Sequence, residues 1–520
     1  MTDAANAANA PIAAPGGDYN LLPYTSRPFP HSAPPRLAGQ AAMFGLSAPA
    51  VSEARVLELG CASGGNIIPL ALRFPGARFR GIDLTERHVR DGQARVAALE
   101  LRNVAIEQGD IGALDLKGQR FDYIVCHGVY SWVPEPVREA ILRICGESLA
   151  DTGVAYISYN VYPGWQVRGT IRDMMISCAG PQGEPATRVA KARAMLEGIA
   201  KAPRIANPYG EMLRNEARKL TARDDDYLLG EFLDAENAPC HFSDFAAKAA
   251  SCGLNYLCEA ELGHCFPEHM GPEVGGLIRG LSANDLVQLE QHMDIFKGRT
   301  FRQTLLVKSP QSRIQRMLAP ERLRGLHVSA RMTCTARPDG SWQFSGPSGV
   351  LNTTDATMSR ALQQLTEVYP ATRTVRELAA EVRAADREGA IRDAVFQAVL
   401  VGLADVASVP LRLDPAGRHK GKPKAGRLAR LDAARRTGWT TGPGHDVVPL
   451  DAVSMVLLPL MDGTRDREAL KGGLLAAVGA GLIKLQDLAS GVEETGAALD
   501  AAAAAHVSRT IENLAGARLL

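Results

Sequence analysis

Short, nearly continuous apolar runs open the folded part of the chain. Arg55-Val56-Leu57-Glu58-Leu59 is the first, and comparable runs occupy 78–82, 104–108, 121–126 and 153–159. Runs of this length, bounded by glycine or polar turns, predict strands buried on both faces. Between them apolar residues recur at helical spacing, near 65–74, 86–101 and 136–149. Strand and helix therefore alternate, which predicts an α/β fold with a parallel, doubly wound sheet.

The alternation stops after the fifth strand. Residues 165–235 carry helical periodicity with polar faces and a loop near 180–185, so a helical insertion is expected at about 165–240. A helix at 242–252, a turn at Gly253, a strand at 254–261 and another at 301–308 follow. The first domain thus spans 18–310. Its start, with Tyr19, Tyr24 and Phe29 among several prolines, reads as an arm without regular structure until a short helix near Arg36. Residues 1–17, rich in Ala, Pro and Gly, read as a disordered lead-in with neither a basic nor an apolar segment of a signal peptide.

Beyond 310 the pattern is helix-rich α+β. Two alternating runs flank Pro338-Asp339-Gly340, a hairpin signal. Residues 346–367 resemble 442–462 in outline: Gly-Pro, an extended segment, an Asp-Ala start and a helix carrying Leu362 or Leu458. A Thr-capped helix is expected after each, from Thr374 and Thr464. Two winged-helix-like units are predicted, 311–417 and 442–520, joined by a basic linker at 418–441 with eight Lys/Arg from Arg418 to Arg436.

Composition narrows the function. A net charge of +1 gives no global attraction to nucleic acid or membrane. No apolar run is long enough to span a bilayer. The nine cysteines are odd in number and irregularly spaced, which points to reduced thiols and a cytoplasmic protein. Cys252, Cys258, His264, Cys265 and His269 lack a paired metal-ligand spacing and read as core thiols and a polar turn, so no metal site is assigned.

The chemistry begins after the first strand. Gly60, Gly64 and Gly65 let the backbone turn sharply and approach a ligand. Glu58-Leu-Gly60-Cys61-Ala62-Ser-Gly64 fits the E/D-x-G-x-G-x-G pattern of class I S-adenosylmethionine methyltransferases better than a dinucleotide fingerprint, with Ala62 at the middle glycine. That resemblance implies further roles. Asp83, 19 residues beyond Gly64 at the end of the second strand, would accept the ribose hydroxyls, with Leu84 beside it. Asp110 and Ile111 after the third strand would meet the adenine, and His127 and Gly128 would close the site at the fourth. Cys61 reads as a small filler of the loop.

Longer phrases carry a closer resemblance: YTSRPFPHSAPPRLA (24–38), HGVYSWVP (127–134), SYNVYPGWQVRGTIRDMM (158–175) and FRQTLL (301–306). They resemble bacterial protein-lysine methyltransferases of the rickettsial outer-membrane-protein type, a methyltransferase followed by a methyltransferase regulatory domain. The resemblance implies a seven-stranded sheet whose last strand is antiparallel, S-adenosyl-L-methionine as cofactor, Tyr24 as a cofactor contact and a protein lysine as acceptor. HGVY (127–130) stands where amide and adenine N-methyltransferases carry N/D-P-P-Y, which disfavours nucleic acid as the acceptor, and a homodimer is left open.

A lysine nucleophile must be neutral, which at pH 7 costs about 4.6 kcal/mol from a free pKa near 10.4. A dry aromatic channel lowers that cost. Tyr130, Trp132, Tyr159, Tyr162 and Trp165 fall near the carboxyl ends of the fourth and fifth strands, although aromatic residues make up only 5% of the chain. Tyr130, Trp132, Asn160 and Tyr162 are the candidate acceptor-side residues, with Asn160 placed to hydrogen-bond an incoming amine. Packing of the insertion is the alternative role for Tyr130 and Trp132, and a turn cap for Asn160. A small-molecule methyltransferase and a non-catalytic cofactor-binding regulator remain the competing functions.

Overall fold

The computed structural model describes residues 25–180, 183–202, 207–413, 421–487, 491–496 and 498–520. The lead-in 1–17, Tyr19, Tyr24 and the first three residues of the basic stretch lie outside them.

A seven-stranded sheet organises the first domain: β1 (Arg55–Leu59), β2 (Arg78–Asp83), β3 (Val104–Gln108), β4 (Phe121–Cys126), β5 (Leu149–Asn160), β6 (Asn255–Glu259) and β7 (Phe301–Val307), in the order β3-β2-β1-β4-β5-β7-β6. β1 to β5 are parallel, and β7 runs antiparallel to both β5 and β6. The continuous apolar runs follow from this, because helices cover both faces and four consecutive residues of β1 are buried. β5 starts four residues earlier than its apolar run. Asp151-Thr-Gly153 reads as a turn, but a register shift opposite Phe121 and Tyr123 lets the strand pass through it.

Parallel strands place their carboxyl ends, and the loops that follow β1 to β5, along one edge. The reversed β7 supplies its first residues to the same edge, where Phe301 pairs with Asn160. Arg302, fully buried on β7, locks this side of the domain. Its guanidinium meets Glu259 at 2.7 Å, Asp294 at 2.8 Å and Glu290 at 3.0 Å, and lies over the Phe242 ring.

Four helices, Gly164–Ala179, Pro185–Lys201, Pro208–Thr221 and Asp225–Phe232, build the insertion around an apolar core of their own that includes Ile171, Leu196, Leu220 and Phe232. By contrast, the unit following residue 310 shares the core of one sheet face. Leu362, Val395 and Phe396 belong to the same buried cluster as Val56, Tyr156 and Leu305. Gly39 on the helix Pro34–Met43 lies so close to this unit that a Cβ would stand 2.9 Å from the Val406 carbonyl oxygen.

The basic stretch is not a tether where it is described. Arg427–Ala434 is a helix of the last unit, and its own Leu428, Ala429 and Ala433 are buried. Its cationic residues are spaced by Leu and Ala at helical intervals, so charge density concealed an amphipathic helix. Hairpin strands Trp439–Thr441 and Val447–Pro449 and helices Ala452–Leu457, Arg467–Gly479 and Ala498–Gly516 complete the unit. The paired outline with 346–367 holds at the caps, since Asp355 and Asp451 each cap the helix that follows. Thr374 caps its helix as expected, in a capping box with Glu377. Thr464 does not: Asp466 is the cap, and Thr464 bonds back to Asp462 in a turn.

All nine cysteines are free thiols. Among the described residues no helix is long and apolar enough to cross a membrane, and no group of His, Cys, Asp or Glu is arranged to hold a metal ion.

Candidate active site

The loop after β1 is wound through the left-handed region. Gly60 has φ 71°, Ala62 46° and Gly64 75°. Ala62 therefore takes a conformation that glycine favours and that costs an alanine about 1–2 kcal/mol. Asp83 compensates: its Oδ2 accepts the Ala62 N–H at 2.8 Å. The other carboxylate oxygen accepts the Thr85 N–H at 3.0 Å and lies 3.2 Å from His88 Nδ1. The end of β2 is thus tied to the loop apex, with the backbone of Leu84 between those contacts and its side chain exposed.

Glu58, at the end of β1, is buried beneath the loop. Its Oε1 accepts a hydrogen bond from Asn66 Nδ2 at 2.8 Å, while Oε2 is buried and meets no donor among the described residues. Burial pushes the carboxyl up to about 8; the Asn66 bond opposes the rise and the Asp83 charge adds to it. Cys61 is buried beside it, its thiol raised well above the ordinary range, so it is a filler and not a nucleophile. Asp110 caps the turn at Ile111–Ala113 through the Gly112 N–H at 2.8 Å, and Ile111 is buried under that turn.

The residues present fit an adenosyl sulfonium with an amino-acid tail. A buried carboxylate oxygen without a donor suits an ammonium. The carboxylates of Asp83 and Asp110 stand at successive strand ends, where hydroxyl and amine donors of a nucleoside need acceptors. Gly60, Ala62 and Gly64 leave the loop backbone close to whatever lies above it.

The proline-rich arm packs across this loop, a partner that its sequence could not specify. Ser26 Oγ accepts the Gly65 N–H at 2.7 Å, and the Phe29 N–H donates to Asn66 Oδ1 at 2.9 Å. A Cβ on Gly65 would lie 2.1 Å from the Ser26 carbonyl oxygen, so only glycine fits there. Phe29 stacks on His127 with ring centroids 3.6 Å apart. His127 Nδ1 is 2.8 Å from the Tyr156 hydroxyl, and burial with His31 nearby lowers its pKa to about 3. The ring is neutral and engaged with Phe29 and Tyr156. The Gly128 N–H donates to Ser158 Oγ.

On the acceptor side the five aromatic residues separate. Tyr130, Tyr159 and Trp165 are each 2% exposed or less. Tyr130 meets Tyr159 and Phe245 edge-on, and Trp165 stacks on Phe232 of the insertion. The short helix Tyr130–Trp132 turns Tyr130 inward, so these three buried rings do not line an open channel, while Trp132 meets Trp165 edge-on and Tyr162 lies against His241. Trp132 and Tyr162 are half-buried at the edge. Asn160 is 4% exposed, with its side-chain amide 3.5 Å from Asn237 Oδ1. Chain returning from the insertion laces over this edge: Ala238 N–H donates to the Ser131 carbonyl, Cys240 N–H to that of Asn160 and Tyr162 N–H to that of Cys240. Asn237, Trp132, Tyr162 and Asn160 are thereby gathered at one place.

Sequence reasoning missed Asn66 and Ser26, which carry no motif signal outside the folded arm. It also missed His445, from the hairpin turn of the last unit, whose Nε2 lies 2.8 Å from Asn66 Oδ1.

Comparison with known proteins agrees with this architecture. Residues 56–153 match the family described as "Methyltransferase domain", 224–308 "Predicted methyltransferase regulatory domain", and 421–519 "PKMT, C-terminal winged helix domain". Over 289 residues the chain is 39% identical to protein RP789 of Rickettsia prowazekii, covering 55% of this chain and 52% of that one. The match therefore spans about half the length of that relative. Protein RP028 of the same organism is 34% identical over 232 residues, 44% of this chain and 93% of the relative. The structure of PKMT2 from Rickettsia typhi in complex with AdoHcy superposes with a TM-score of 0.83 at 26% identity, covering 96% of this chain and 100% of that one.

Proposed function

We propose that this chain, which belongs to the class I S-adenosylmethionine-dependent methyltransferases in the family of its Rickettsia relatives, methylates lysine side chains of a protein substrate. The observation that carries the reading is the row of Glu58, Asp83 and Asp110 at the carboxyl ends of β1, β2 and β3, tied to a glycine loop and followed by a half-buried aromatic edge. The acceptor assignment draws on likeness to PKMT2 over nearly the whole chain and on the phrases 127–134 and 158–175.

S-Adenosylmethionine supplies a methyl group already activated by its positive sulfur, so the chain's work is binding and alignment. Glu58 Oε2 receives the ammonium of the cofactor tail, and Asp83 and Asp110 receive hydroxyl and amine donors of the nucleoside. Holding an acceptor in line contributes up to roughly 7–11 kcal/mol to such reactions. Asn160 and Asn237 offer carbonyl oxygens to the amine. Trp132 and Tyr162 shield it from water, which favours the neutral nucleophile.

Incubation with methyl-labelled cofactor and fractionated protein, followed by hydrolysis and mass mapping, tests the acceptor. Label in methyl-lysine supports the reading. Label confined to small molecules, or to another side chain, overturns it.

A further inference from the structure

The last unit reaches the cofactor loop at two places. Asp432, fully buried on the helix Arg427–Ala434, pairs with Arg95 at 3.0 Å, and Arg95 also approaches the Ser63 carbonyl at 3.5 Å. His445, 4% exposed and held at φ 63° in the turn between the hairpin strands, points its Nε2 at Asn66 Oδ1 across 2.8 Å.

Asn66 is the hinge of a relay. Its carbonyl oxygen already accepts the Phe29 N–H, so its amide nitrogen must face Glu58 Oε1 and Ser32 Oγ. Because that oxygen is an acceptor only, His445 must present Nε2–H to it. Burial, with Arg73 and Arg36 nearby, lowers the His445 pKa to about 3, so the ring is a neutral donor at physiological pH. The donors on Asn66 Oδ1 hold the amide in the one orientation that gives Glu58 a hydrogen bond and leaves Oε2 for a ligand.

We propose that His445 is a positioning residue of the cofactor site, acting through Asn66 on Glu58, so that the last unit is part of the cofactor-binding machinery. The inference rests on the cofactor reading above.

Groups facing Glu58 are Asp83 from β2, Cys61 from the loop, Cys126 from β4 and Asn66. Of these only Asn66 favours the charged carboxylate. Loosening Asn66 therefore raises the pH at which Glu58 becomes ready for an ammonium, whereas loosening the docking of the unit elsewhere does not.

Calorimetric titration of the full chain with AdoHcy between pH 6 and 9 tests this. His445→Ala is expected to weaken binding at pH 7 about 10- to 30-fold and to move the pH at which affinity levels off upward by about one unit. His445→Gln, which keeps an N–H donor, is expected to stay within threefold of the original. Arg427→Ala, which removes the docking bond to the Leu99 carbonyl at the C-terminal end of the helix Glu86–Ala98, is expected to lower the melting temperature without moving that pH. Equal losses for His445→Ala and Arg427→Ala at an unmoved pH overturn the proposal, as does unchanged binding by His445→Ala. In the unaltered protein, nitrogen-15 NMR of the imidazole is expected to show the Nε2–H tautomer, and the Nδ1–H tautomer overturns the proposal even if a variant fails to fold. Unaltered protein that does not bind AdoHcy overturns the cofactor reading itself, and this inference with it.

Discussion

Asp83 accepts the backbone N–H of Ala62 across 2.8 Å, joining the end of β2 to the apex of the loop that follows β1. One carboxylate thus fixes a loop in a strained conformation and, in the proposed reading, also accepts the nucleoside hydroxyls. Asp83→Ala removes both roles. Charge-assisted hydrogen bonds contribute about 1.5–3 kcal/mol each, so AdoHcy affinity is expected to fall on the order of 100-fold by calorimetry. A change under threefold contradicts the assignment.

Gly65 is the second constraint on the loop. Gly65→Ala must displace the backbone at Ser26, because the new methyl group would stand 2.1 Å from a carbonyl oxygen. Faster hydrogen exchange and proteolysis of 25–33 are expected, with AdoHcy binding weakened about tenfold. Protection identical to the unaltered protein would mean that the arm does not depend on this contact.

Glu58 gives the site a pH dependence. Its folded pKa of about 8 lies above the ordinary value of 4.5, so the folded state binds more protons than the unfolded state between those values. Stability from this group is therefore present below pH 4.5 and is lost as pH rises through 8. A bound ammonium favours the carboxylate, so the thermal stabilisation produced by saturating AdoHcy is expected to grow from pH 6 to pH 8. A shift that shrinks over that range contradicts the placement of the ammonium at Oε2.

Tyr130 separates packing from chemistry. It is buried against Tyr159 and Phe245, so Tyr130→Phe is expected to keep methyl transfer within about threefold, whereas Tyr130→Ala is expected to cost about 3–5 kcal/mol of stability. A large loss of turnover in a stably folded Tyr130→Phe protein would give its hydroxyl a catalytic part. Asn160→Ala, at the edge, is expected to lower turnover more than tenfold while leaving AdoHcy affinity unchanged.

Arg302 tests the far side of the sheet. Removing it takes the guanidinium contact from buried Glu259 and Glu290 and leaves Asp294 to Arg299, a change expected to cost about 3–5 kcal/mol. Denaturation of Arg302→Met measures it, and unchanged stability would contradict the network.

The sheet was legible in the sequence because each parallel strand is an apolar run closed by a turn, and resemblance to the class I methyltransferase pattern singled out the carboxylates Glu58, Asp83 and Asp110 near the ends of those runs. Periodicity could not show the direction of the Tyr130 ring, which depends on a three-residue helix too short to carry a period. It could not reveal the contact of His445 with Asn66 either, since 379 residues separate them. The basic stretch misled for a different reason: Arg427, Arg430 and Arg435 surround buried Leu428 and Ala429, so charge obscured the apolar face of a helix.

Turnover distinguishes an enzyme from a cofactor-binding regulator. The full chain is incubated with methyl-labelled S-adenosylmethionine and an acceptor protein fraction, and AdoHcy release is counted per enzyme molecule alongside label in precipitated protein. Many equivalents of AdoHcy, matched by label in protein, are predicted. Binding of one equivalent with no AdoHcy released, whatever fraction is added, would contradict the account.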